Sequence, residues 1–131
     1  MRADNSSRWA LGSAGMVMII TAGLHAAGYR PLAEQFATSN IQPAWVAGVK
    51  GLWLVFSLHL VIVGGLFLFA GIRPGCVGKT VLLIVGLVPA GDTVVLFAFA
   101  GVFVLTVALA LAALLLYAGV ALHPGRVSSK Q

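Results

Sequence analysis

TVLLIVGLVPAGDTVVLFAFAGVFVLTVALALAALLLYAGVAL, residues 80–122, runs for 43 residues with a single charged side chain, Asp92. A helix needs about 20 apolar residues to cross the hydrocarbon core, so this stretch is too long for one span and long enough for two. Where it turns decides the fold. A break at Pro89-Ala90-Gly91-Asp92 leaves about ten residues ahead of it, short of the roughly 17 that the shortest spans use. The turn is therefore predicted at 98–102, around Gly101, with Pro89 a kink inside the third span.

Working outward, the segment before this stretch, 72–79, carries Arg73, Pro74 and Gly75 and reads as a turn. Ahead of it 45–71 is apolar and long enough to span with tilt. Residues 29–44 hold Pro31 and Pro43 among polar residues, with room for one short interfacial helix. The first apolar stretch, 9–28, follows a polar lead. The expectation is one all-α transmembrane domain over 1–131, an antiparallel four-helix bundle with spans at about 9–28, 45–71, 79–97 and 103–122.

Composition agrees. Hydrophobic residues make up 60% of the chain and charged ones 8%, where soluble domains carry about a quarter charged. The net charge of +5 is scattered in ones and twos at the ends of apolar stretches, which excludes a nucleic-acid face and reads instead as a topology signal. With both termini cytoplasmic, Arg2, Arg8, Arg73, Lys79, Arg126 and Lys130 lie inside and only Arg30 and Lys50 outside. That bias requires an even number of spans and fits a multi-pass protein of a bacterial cytoplasmic membrane. Cys76 is alone, so no internal disulfide forms.

A carboxylate within a span is costly and marks a candidate functional site, against the alternative of a structural acid bonded to another helix. Asp92 lies thirteen residues beyond Lys79 and His59 twelve before Gly71. At 1.5 Å per residue both are about 20 Å from the same membrane edge. The two are thus the primary candidates for a ligand or proton site, the carboxylate holding the imidazole in one tautomer. Secondary polar candidates are Lys50, Trp53 and Ser57, on one face of the second span, and Thr21 and His25, on one face of the first with Ala14 and Met18. Lys50 and Trp53 have the competing reading of interfacial anchors. His25 is expected near the outer surface, close to Tyr29, Arg30, Glu34 and Lys50. On the last span Thr106, Ala110, Ala113 and Tyr117 make a small and polar stripe expected to face the bundle. Small residues four apart, Ala22 with Ala26, Gly23 with Ala27, Gly86 with Ala90 and Ala108 with Ala112, permit close helix approach and leave oligomerisation open.

Familiar chemistry is missing. Gly75-Cys76-Val77-Gly78-Lys79-Thr80 ends like a phosphate-binding loop, but Arg73 stands where its first glycine belongs. The histidines His25, His59 and His123 are expected at three different depths, no metal-ligand spacing occurs, and no cofactor is implied. Asn5-Ser6-Ser7 fits a glycosylation acceptor on the predicted cytoplasmic side.

Three short motifs, Leu24-His25-Ala26-Ala27-Gly28, Lys50-Gly51-Leu52-Trp53 and Val88-Pro89-Ala90-Gly91-Asp92, together with the four-span layout, resemble the small four-helix membrane proteins grouped as DoxX-like. The resemblance implies the fold and a role for Asp92 in the third helix. It implies no activity, and the cysteine pair of a membrane dithiol protein is lacking. Three functions compete at this stage: binding or transforming a lipophilic small molecule or membrane lipid, serving as an accessory subunit of a larger membrane complex, and proton-coupled transport. Whether the chain is an enzyme stays open.

Overall fold

The computed structural model describes residues 2–122, with side chains from Asn5 onward. His123, Arg126 and Lys130, and the side chain of Arg2, on which part of the charge asymmetry rests, lie outside the described residues. Five helices follow one another: α1 (Arg2–Ala27), α2 (Tyr29–Ala37), α3 (Pro43–Ile72), α4 (Lys79–Ala100) and α5 (Val104–Ala121). No strand occurs among the described residues. Among the described residues four helices are long and apolar enough to cross a membrane, α1 and α2 together forming the first. Helix is what lipid demands, because each backbone polar group must find its partner within its own segment.

α1 starts seven residues ahead of the apolar stretch that announces it, and its polar lead has a packing role. Ser7 is fully buried and its hydroxyl donates to the Gly119 carbonyl of α5 at 2.8 Å. The Asn5-Ser6-Ser7 sequence is therefore helical rather than the loop a glycosylation acceptor requires. At the far end, the Gly28 amide is shared between the carbonyls of Leu24 and His25, and α2 continues with no buried residue. α4 runs through Pro89, which is buried, and ends at Ala100. Gly101 then turns the chain at φ 73°, a conformation that suits glycine. Thr106 Oγ1 ties the turn by donating to the Gly101 carbonyl at 3.0 Å.

α1 is the hub. It packs along α3 on one side and α5 on the other, α4 packs on α5, and α3 and α4 barely meet. The α1–α3 seam closes backbone to backbone. A Cβ on Gly15 would lie 2.5 Å from both the Gly64 carbonyl oxygen and the Leu68 nitrogen, and one on Gly71 would lie 2.7 Å from the Gly12 nitrogen. A Cβ on Gly119 would meet Leu11, and one on Gly86 would overlap Leu116. Of the predicted small-residue pairs, Gly86 thus sits at a tight contact, whereas Gly23 faces open space. The buried face of α5 is Thr106, Leu109, Ala112, Ala113, Leu116, Gly119 and Val120, turned from the predicted stripe so that Ala110 and Tyr117 are only half-buried.

Burial is uneven along the bundle. On α3 the buried residues begin at Ser57, and on α4 they end at Pro89. Residues 43–56 and 90–100 contain none, so both helices run unburied at that end of the molecule.

Candidate functional site

His59 and Asp92 stand where α3 and α4 cease to be buried. His59 Nε2 is 3.1 Å from Asp92 Oδ2, and their side chains keep 35% and 20% of their exposure, so the pair is held and still reachable. With the proton on Nε2 the imidazole donates to the carboxylate. Nδ1 and the second carboxylate oxygen then remain for another molecule. The backbone explains how Asp92 is presented: it lies three residues beyond buried Pro89, and Thr93 Oγ1 donates to the Pro89 carbonyl at 2.7 Å. That bond keeps the polar neighbour of Asp92 turned to its own helix.

A second cluster surrounds His25, and its position differs from the one expected. His25 is buried, not part of an outer polar network. Arg30 and Glu34 instead bond each other at 2.9 Å on the exposed face of α2. His25 Nδ1 lies 2.9 Å from Ser57 Oγ, while Ser57 Oγ donates to the Trp53 carbonyl at 3.1 Å. A hydroxyl has one proton to give, so Ser57 accepts from His25 and the imidazole carries its hydrogen on Nδ1. Trp53 completes the cluster: its ring stacks on His25 at 4.1 Å and its Nε1 donates to the His25 carbonyl at 2.7 Å. Trp53 is therefore an interhelical strut rather than a free interfacial anchor.

The two clusters adjoin. Phe56 touches His25 at 4.9 Å between ring centroids and stacks on His59 at 5.7 Å with 15° between planes. His25 and His59, expected at different depths, are thus linked through one ring. Ser57, the partner of His25, is two residues from His59, about 3 Å along the helix. Phe56 went unnoticed in the sequence, although Trp53, Phe56 and His59 recur every third residue and so share a face. The ring interrupts any hydrogen-bonded path between the imidazoles, because it has no exchangeable proton.

The remaining candidates separate from this site. Thr21 is buried and spends its hydroxyl on the Val17 carbonyl at 2.7 Å. Lys50 is half-buried and lines a groove of about 420 Å³ with Phe36, Ile41 and Val46, apart from Trp53 and Ser57. No group of three metal-ligating side chains occurs among the described residues. Cys76 is exposed in the turn between α3 and α4. The chain matches no family model, no curated protein and no solved structure.

Proposed function

We propose that this is a multi-pass protein of a bacterial cytoplasmic membrane, an antiparallel bundle with both termini inside, that binds a lipophilic small molecule by its polar group at His59 and Asp92. The DoxX-like layout belongs to the same proposal. The observation that carries the reading is the 3.1 Å His59–Asp92 pair, placed where burial on α3 and α4 ends and left partly accessible. An imidazole nitrogen and a carboxylate oxygen side by side suit a ligand hydroxyl or carbonyl, as in a quinone, a terpenoid alcohol or a lipid head group. The bare segments 43–56 and 90–100 supply apolar walls for its tail. The pair also has the groups to move a proton to or from the bound oxygen.

The accessory reading has Asp92 satisfied across an interface with a larger complex. Its support weakens because Asp92 already has an in-chain partner. Transport would need the carboxylate to exchange protons with both sides, which asks for a further route beyond its contact with His59.

Native mass spectrometry of the protein in lipid nanodiscs tests the proposal. Wild type should retain a defined small molecule, and Asp92→Asn and His59→Gln should lose it while keeping the same oligomeric state. Ligand-free spectra from all three, with all three folded, would reject binding and favour the accessory role; retention by both variants would move the ligand elsewhere in the bundle.

A further inference from the structure

A groove of about 760 Å³ runs between α1 and α3 at the end of the bundle that carries the turn between α3 and α4, away from both histidine clusters. Its mouth holds Arg8, Trp9 and Ser13, and its far part is lined by Met16, Ile20 and Leu68. Arg8 and Ile20 are twelve residues apart on α1, about 18 Å, close to half of a hydrocarbon core about 30 Å thick. The groove therefore has the depth of one leaflet, polar at the mouth and apolar below.

Arg8 is anchored there. Its Nε donates to the Gly71 carbonyl at 3.3 Å, which uses one of five guanidinium donors. Of the carboxylates whose side chains are described, Glu34 is bonded to Arg30 and Asp92 to His59; Asp4, one turn before Arg8 on α1, lies outside the described side chains. Arg73 and Lys79, both exposed, add positive charge at the same end. Trp9, 78% exposed, sets an amphipathic ring beside the guanidinium, at the level where lipid head groups lie.

We propose that this groove binds one anionic phospholipid, with its phosphate on Arg8 and one acyl chain along Met16 and Leu68. A zwitterionic lipid offers the same phosphate, but the three cations Arg8, Arg73 and Lys79 gathered at this end select a head group with net negative charge. The site is separate from His59 and Asp92 and stands whether or not that pair binds a ligand.

The test is native mass spectrometry of the full chain released from nanodiscs of equimolar phosphatidylglycerol and phosphatidylcholine with identical acyl chains. Wild type should retain one phosphatidylglycerol with a preference of about fivefold, the size expected for one basic residue beside an anionic head group. Arg8→Gln should bring the ratio to about one, whereas Arg30→Gln, on the remote α2, should leave it unchanged. Met16→Trp fills the groove without touching the Arg8–Gly71 bond and should reduce retention of both lipids, which keeps the test decisive if Arg8→Gln fails to fold. Equal retention of the two lipids by wild type, full preference in Arg8→Gln, or undiminished lipid in Met16→Trp would overturn the proposal.

Discussion

The two halves of the α1–α3 seam are built differently. Around Gly15, Gly64 and Gly71 the helices touch through their backbones, and a single added methyl group at Gly15 would strike a carbonyl and an amide. Around His25, Trp53 and Ser57 the same helices are held by side chains: a stacked pair of rings and two hydrogen bonds. Beyond that level α3 keeps no buried residue, and Gly48 and Gly51 face open space. Backbone contact fixes spacing and leaves space only in the groove along the outer edge of the seam, while side-chain contact leaves polar groups exposed at its edge. The titratable groups His25, His59 and Asp92 lie at the border between the two, where a ligand site has both a rigid floor and an open side.

The most severe way to break this contrast is Gly15→Ala. Because its Cβ would meet backbone on α3, we expect about 3 kcal/mol of destabilisation, the upper end for overpacking, read as a lowered thermal midpoint in detergent micelles. Tolerance of the substitution would mean that the closed half is not closed. A gentler probe is a double-mutant cycle of His59→Gln and Asp92→Asn on the same unfolding assay. A coupling of about 1–2 kcal/mol is expected for an interhelical polar pair in a membrane protein, and a coupling near zero would dissolve the pair.

Gly51→Ala makes the same chemical change as Gly15→Ala in the open half. With no atom within 4 Å of the added methyl, helix propensity decides, and stability should rise by about 0.8 kcal/mol. The opposite signs of the two glycine substitutions are the sharpest form of the comparison. The smallest effect is expected from Trp53→Phe, which keeps the ring and removes the donor to the His25 carbonyl. It should cost about 0.6 kcal/mol, and a much larger loss would make the side-chain half as demanding as the backbone half.

Parts of this were legible in the sequence. Counting residues from Gly71 and Lys79 set His59 and Asp92 at one depth, because rise along a helix is a local constant. That they face each other was not legible, since it depends on the rotation of α3 and α4. His25 shows the limit more clearly. Its position beside Tyr29 and Arg30 pointed to an outer polar network, but the rotation of α1 buries it against Ser57 and Trp53. Of the small-residue pairs on α1, Ala22 with Ala26 and Gly23 with Ala27, only Ala22 is buried, while the backbone contact lies at Gly12 and Gly15.

By itself the sequence determined the number of helices long and apolar enough to span, the short helix within 29–44, and the turn at Gly101. These follow from hydrogen bonding within each segment, which is set locally and is what a membrane crossing would require. Only the tertiary structure decided which helices are neighbours: α1 lies between α3 and α5, while α3 and α4, joined by a tight turn, barely touch. Packing between spans depends on close van der Waals fit, and chains rich in Gly and Ala offer many near-equivalent faces, so the choice rests on contacts between residues far apart in the chain.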